Sequence, residues 1–476
     1  MESVAEHSPF LCGTPRKIVL LPKETFMNSE FIHQSFISNI KCLLGNGCND
    51  FLLSLEKPAV TSVRLNERKP YTNEFEDIES ILWCKHGVQL AKRLSFTLDP
   101  LFHCGAYYVQ EAASMFVEQC ANTIKTISDI DYILDLCAAP GGKSTHLASL
   151  FPNSLLVSNE IIRSRVSVLR ENISKWGNNN AIVTSNDPSK FSAMEHYFDL
   201  VLVDAPCSGE GMFRKDPKSI KEWSPENVQL CAARQKRILN DVWESLKPGG
   251  FMIYSTCTYN VDENEKVVKY ITESLGAQTI PVNISEFEGI APSFEKSIDA
   301  YRFFPHKTQS EGFFISLIRK NIDTIRKSKN RKQSISVKVD GLNHWLSNNN
   351  CAFIKNNDNV HFLPEKFAPD IDFINKYLNI ISSGTCICTI KGKEYIPSLE
   401  MAHSVFLNTK SFTVYNIDKQ TALRFLKRET LSAPPDIPKG YVLLIYNNIP
   451  LGWVKNIGSR CNNLFPESRR IKMNIK

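Results

Sequence analysis

The middle of the chain predicts a doubly wound α/β domain with a parallel sheet. Two observations carry that prediction. Between residues 132 and 319, short apolar runs alternate with segments of helical spacing, and the first run leads into a Gly-rich turn. This is the pattern of successive βαβ units. Strands are expected at 132–137, 154–158, 181–184 and 198–203, with helices at 145–151 and 162–176. A long helix is expected at 224–246, stopped by Lys247-Pro248-Gly249-Gly250, and the last strands at 251–255 and 313–318. Residues 1–105 mix helix-like and strand-like segments, a small α+β region, and the alternating α/β unit is assigned to 106–320. A basic stretch (Arg319, Lys320, Arg326, Lys327, Lys329, Arg331, Lys332) opens a linker and intermediate region at 321–384. Apolar runs at 385–390 and 441–446, split by Pro and Gly, predict a β-rich module over 385–476. Asn-rich patches at 178–180 and 348–350 read as loop tips.

Composition narrows the class. The 476 residues are 42% hydrophobic and 22% charged, as in ordinary globular proteins. No run of 18 apolar residues is present, which excludes a spanning helix, and residues 1–23 lack the apolar core of a secretory leader. Fourteen cysteines at irregular spacing suit reduced thiols in a cytoplasmic protein. The net charge of +6 is unevenly spread: residues 321–476 carry +11 and residues 1–320 carry −5. An acidic body joined to a basic third suits either a polyanion-binding appendage or a merely solubilising end.

The first strand ends in Asp135-Leu136-Cys137-Ala138-Ala139-Pro140-Gly141-Gly142-Lys143-Ser144. Gly142-Lys143-Ser144 matches the end of a Walker A loop, but the leading glycine is replaced by Cys137, and G-x-G-x-x-G is absent. Carboxylates follow at later strand tips: Glu160, where a ribose diol binds in such folds, Asp187 after Asn186, which faces an adenine edge, and Asp204. Singly, each reads as a helix cap or a solvated loop. Together they suit a nucleoside with a cationic centre, such as S-adenosylmethionine.

Cys207, in Asp204-Ala205-Pro206-Cys207-Ser208-Gly209-Glu210-Gly211, and Cys257, in Thr256-Cys257-Thr258, follow two strands and project at one sheet edge. Two thiols facing one pocket suggest nucleophilic work rather than packing. Methylation of cytosine C5 needs such a set: a thiolate to add at C6, a carboxyl near N3, and a second group to handle the C5 proton.

These three segments resemble the RsmB/RsmF family of RNA cytosine-5 methyltransferases. Residues 98–115 resemble the stretch before the catalytic fold in RsmF-like members. Leu451-Gly452-Trp453-Val454-Lys455 with Asn462-Asn463-Leu464-Phe465-Pro466 resembles the family's PUA-like RNA-binding module. The resemblance implies a Rossmann-like class I fold with Cys257 as nucleophile and Cys207 assisting breakdown of the adduct. It implies cofactor contacts from Cys137, Ala138, Ala139, Pro140, Gly141, Gly142, Lys143, Glu160, Asp187 and Asp204. Asp204 is expected to reach the target base, and Lys143 to hold a carboxylate. The implied substrate is RNA, most closely 16S rRNA of the small ribosomal subunit, acted on by a monomer with no metal and no membrane contact. The first 22 residues have no counterpart in the family and read as an extension or a misplaced start. Transfer RNA is the alternative substrate, and a non-catalytic assembly factor the alternative role. DNA cytosine-5 enzymes use the Pro-Cys thiol as nucleophile, so possession of both motifs favours the RNA class.

Other residues are expected to be structural. Cys386 and Cys388 lack a second pair at zinc spacing and read as strand residues. Trp453 reads as core, and His103 as a loop histidine. Asn260 and Glu263 read as a helix cap with its partner. Arg424, Lys427 and Arg428 suit phosphate contacts or a solvated face.

Overall fold

The computed structural model describes residues 32–69, 75–322, 341–347, 350–434 and 436–474. The Met1–Pro22 segment, most of the basic stretch and Asn348-Asn349 lie outside the described residues.

The catalytic unit alternates β1 (Tyr132–Asp135), α1 (Gly142–Leu150), β2 (Leu155–Asn159), α2 (Arg163–Trp176), β3 (Ala181–Thr184), β4 (Phe198–Asp204), α3 (Pro225–Trp243), β5 (Leu246–Thr256), α4 (Glu265–Ser274), β6 (Tyr301–Phe303) and β7 (Phe313–Lys320). Spatial order is β3-β2-β1-β4-β5-β7-β6, with the first five strands parallel. The expected all-parallel sheet is corrected on one side. β7 runs antiparallel to β5, and it pairs with β6 at one end and with Ala277–Thr279 at the other. Chain order reverses at β1, the switch point where open sheets bind ligands. Alternate side chains feed two cores. Ile133, Leu156, Val183, Leu200 and Ile253 face one side, and Leu134, Val157, Ile182, Val201 and Met252 the other. Burial on both faces is why these strands read as continuous apolar runs.

Lys247-Pro248-Gly249-Gly250 is a second correction. α3 ends at Trp243, and the four residues lie inside β5. There the register against β4 jumps from Phe198↔Leu246 to Leu200↔Phe251, with Gly249 at φ +76°. The Pro-Gly pair therefore makes a bulge at the start of a strand instead of stopping a helix.

Two helices, Gln34–Leu44 and Cys48–Glu56, precede a four-stranded antiparallel sheet ordered Ile78–Ser80, Gly87–Leu90, Thr61–Leu65, Tyr107–Val109. Its last strand lies beyond residue 105. Another sheet joins Cys351–Asn356 and Asn359–Pro364 to Thr385–Lys391 and Glu394–Pro397, across the division expected at 384/385. Ile380–Ser383 leaves that region and pairs antiparallel with β3, extending the catalytic sheet. The final sheet comprises Thr413–Asn416, Gly440–Tyr446, Ile449–Asn456 and Cys461–Asn463. Val63, Val88 and Tyr107 of the N-terminal sheet share one core with Phe425, Val442 and Leu451. Cys386 and Cys388 are buried strand residues. Trp453 is buried, and its Nε1 donates to Ser398 O at 2.7 Å.

Candidate active site

The turn after β1 is built for close approach. Gly141, at φ +111°, precedes α1, and a Cβ there would sit 3.3 Å from Leu169. Its carbonyls are held from α2: Arg165 Nη2 donates to Ala139 O at 2.5 Å, and Asn172 Nδ2 to Pro140 O at 2.8 Å. The first-turn N–H groups of α1 have no intrahelical acceptor and remain for a ligand. Cys137 is half-buried, and desolvation pushes its thiol up.

Asp135, at the tip of β1, is 1% exposed. Ser144 Oγ donates to its Oδ2 at 2.6 Å, while Oδ1 has no partner among the described residues. Burial pushes this carboxyl up to about 7, against the Ser144 hydrogen bond that lowers it. An orphaned carboxylate oxygen beneath a glycine turn fits a cationic cofactor.

The other strand-tip groups have settled partners. Glu160 Oε1 accepts Ile162 N–H at 2.9 Å, and its Oε2 lies 3.3 Å from Arg165 Nη1. Asp187 caps the short helix Pro188–Ala193 by accepting Ser189 N–H at 3.0 Å, a bond that lowers its pKa. The amide of Asn186 pairs with the backbone of Asn379, Oδ1 accepting Asn379 N–H at 2.9 Å.

Asp204 ends β4 between two fixed donors: Lys143 Nζ at 2.8 Å from Oδ2, and Ser255 Oγ donating to Oδ1 at 2.7 Å. Burial alone would lower Lys143, but the Asp204 carboxylate outweighs it and holds the ammonium above its ordinary value. Beside this pair, Cys207 Sγ and Cys257 Sγ lie 3.2 Å apart, and both are free thiols. The hydrogen bond to Cys257, and then burial, raise Cys207 well above an ordinary thiol. The contact sets the two thiols within hydrogen-bonding reach of each other.

Two buried carboxylates brace the cysteine loops reciprocally. Glu210, from the Cys207 loop, accepts the N–H groups of Tyr259 at 2.8 Å and Asn260 at 2.9 Å. Glu263, from the Cys257 side, accepts Ser208 N–H at 2.9 Å, Gln235 Nε2 at 2.8 Å and Asn260 Nδ2 at 2.7 Å. Gly211 N–H adds a bond to Cys257 O at 2.8 Å. Asn260 Oδ1 accepts Glu263 N–H at 2.9 Å, the cap-to-partner bond expected of them, and the pair does further work. α4 starts at Glu265, and the pair ties two catalytic loops together in the turn before it. Sequence reasoning missed Asp135, Glu210, Glu263 and Ser255 as site residues. The available signal was their position inside the motifs that carry the cysteines and the glycine turn.

Outside the pocket, His103 pairs with Thr97 O at 2.9 Å. Arg424 and Arg428 pair with Glu429 at 3.0 Å and Glu467 at 2.5 Å, so two of the three cations expected to meet phosphate already face carboxylates.

A glycine turn and acidic tips at the switch point of a β3-β2-β1-β4-β5-β7-β6 sheet define a class I S-adenosylmethionine-dependent methyltransferase. Among solved structures, the chain is similar to a methyltransferase homologue from Pyrococcus horikoshii, with TM-score 0.52 and 27% identity over 60% of this chain and 95% of that one. NSun6 from the same organism, solved with SFG, shares the fold at TM-score 0.51 and 20% identity, over 60% and 98% of the two chains.

The chain belongs to the family described as 16S rRNA methyltransferase RsmB/F. That family's model matches residues 123–319, the RsmF N-terminal domain matches 32–112, and the RsmF PUA domain 412–471. Ribosomal RNA small subunit methyltransferase F of Vibrio vulnificus is 30% identical over 92% of this chain and 97% of its own length. The protein of that name from Shewanella piezotolerans is 29% identical over 91% and 96%. The protein is an S-adenosylmethionine-dependent RNA methyltransferase. No helix among the described residues is long and apolar enough to cross a membrane.

Proposed function

We propose that the protein methylates C5 of a cytosine in small-subunit ribosomal RNA, working in the cytoplasm as a monomer, with Cys257 as nucleophile. The 3.2 Å approach of Cys207 to Cys257, beside the Lys143–Asp204 pair, carries this reading. The Cys207 thiol donates toward Cys257 and stabilises its thiolate, which adds to C6 of a cytosine swung out of its stack. Asp204, fixed by Lys143 and Ser255, meets the base at its N3 edge as electron density reaches C5. S-adenosylmethionine, held by residues 137–143 with Glu160 and Asp187, supplies the electrophilic methyl group. Cys207 then gives its proton to the departing Cys257 sulfur and takes up the C5 proton in its place, and the one proton the reaction releases leaves to solvent when Cys257 next ionises. The basic C-terminal third supports phosphate contacts that position the RNA.

With tritiated S-adenosylmethionine and 16S rRNA, the wild type is expected to form 5-methylcytosine. Cys257→Ala is expected to be inactive, and Cys207→Ala to accumulate a protein–RNA adduct. Activity retained by Cys257→Ala overturns the assignment. Labelling confined to transfer RNA moves the protein to that substrate.

A further inference from the structure

Outside the catalytic crevice, one buried cluster combines three kinds of metal donor. Cys84 comes from the N-terminal region, Glu118 from the helix Val117–Lys125, and His146 from α1. Their ligand atoms all lie within 4.8 Å of one another. His146 Nε2 is 3.0 Å from Glu118 Oε2 and 3.9 Å from Cys84 Sγ. A tetrahedral zinc ion, with bonds of about 2.0 Å to N and O and about 2.3 Å to S, separates its ligands by roughly 3.3–3.7 Å. These two distances need a shift of a few tenths of an ångström to meet that spacing, and the third pair, Cys84 with Glu118, lies within 4.8 Å. The three side chains are nearly inaccessible.

The surroundings suit an ion. A cavity of about 200 Å³, lined by Glu118, His146, Glu67 and His86, adjoins the cluster and has room for a water as fourth ligand. Glu118 Oε1 is oriented by Lys85 N–H at 3.1 Å, leaving Oε2 for the cluster. The buried cation Arg64 lies within electrostatic reach of Cys84, Glu118 and His146, but its hydrogen bonds go to other partners. Its Nε donates to Gln110 Oε1 at 2.9 Å, its Nη2 donates to Thr145 Oγ1 at 2.6 Å, and its guanidinium lies over the Trp176 ring.

We propose that Cys84, Glu118 and His146 bind one divalent transition-metal ion, zinc by its donor set, with water in the fourth position. Binding replaces the Cys84 proton, which leaves to solvent, so thiolate and carboxylate together neutralise the ion. The site is structural: it pins the N-terminal region to α1, the helix that begins at the cofactor turn. It is independent of the cytosine chemistry.

The test is metal analysis of the untagged full chain after chelation and titration with Zn²⁺ or Co²⁺. The wild type is expected to take up one equivalent and to raise its melting temperature. With Co²⁺ it is expected to show the visible bands of a tetrahedral ion and a thiolate charge-transfer band. Cys84→Ser and His146→Gln are each expected to lose the equivalent and the thermal shift while the apo proteins stay folded. Cys84→Ser is also expected to lose the charge-transfer band. No uptake by the wild type overturns the proposal. So does uptake that survives Cys84→Ser and disappears with Cys207→Ser, which assigns the ion to the catalytic pair.

Discussion

Removing Glu263 should separate the catalytic thiols without touching either one. Its carboxylate, wholly buried, is the acceptor for three buried donors: Ser208 N–H, the Gln235 amide and the Asn260 amide. A buried donor stripped of its acceptor costs about 1–3 kcal/mol. With partial relaxation of the three, Glu263→Ala is expected to lose about 3 kcal/mol of folding stability. The larger effect is geometric. Ser208 adjoins Cys207, so freeing its N–H loosens the loop that holds the 3.2 Å thiol contact. A displacement of roughly 1 Å at a reacting group costs about a hundredfold in rate. Steady-state methylation should therefore show kcat falling about a hundredfold, and by about tenfold in Glu263→Gln, which keeps one acceptor oxygen. Cofactor affinity should stay within about twofold, because the glycine turn is untouched. Reaction with a dithiol-specific arsenical gives an independent readout of thiol spacing, and it should slow in both variants. A Glu263→Ala protein that is folded, with unchanged kcat and unchanged arsenical reactivity, would refute the brace.

Further outcomes follow from other buried charges. Asp135 has its carboxyl pushed up to about 7 by burial, so near neutrality it is part-protonated. A cationic cofactor favours the ionised form, so affinity measured by calorimetry should tighten about tenfold from pH 6 to pH 8, and Asp135→Asn should flatten the profile. For the cofactor-free fold the sign reverses. A raised acid stabilises the protein fully below its unfolded value near 4, and that contribution is lost as pH rises to about 7. Lys143→Met leaves Asp204 with Ser255 alone, and single-turnover assays should show a rate loss of about tenfold or more. Arg302 and Glu265 form a buried ion pair, with Arg302 Nη1 also donating to Tyr259 O at 2.7 Å. Arg302→Ala strands the Glu265 charge and should cost about 3–5 kcal/mol in denaturant unfolding.

The catalytic strands were legible because burial on both faces makes them uninterrupted apolar runs, and 181–184 coincides with β3. The cysteine pair was legible because each thiol lies just past a strand with turn residues beside it. Glu210 and Glu263 were not. A carboxylate that braces the backbone of another loop has the same local signature as a cap, and only the folded register brings Ser208 onto Glu263. The antiparallel β7 was hidden for a related reason: apolar content gives no strand direction. The pairing of Asn186 with Asn379 was not legible because Asn379 arrives from a region with no recognisable motif.

That arriving segment has a consequence for how the chain is made. Ile380–Ser383 covers the β3 edge, and the N-terminal sheet shares its core with the last module. Both halves of each contact are far apart in sequence, and such contacts form slowly. During synthesis, the β3 edge and the face of the first sheet emerge from the ribosome long before the segments that cover them. The nascent chain therefore carries an open strand edge and an apolar sheet face until translation is nearly finished. Domain-wise folding on the ribosome is interrupted here, and expression of a chain shortened before residue 380 should yield aggregates that a co-expressed C-terminal fragment rescues.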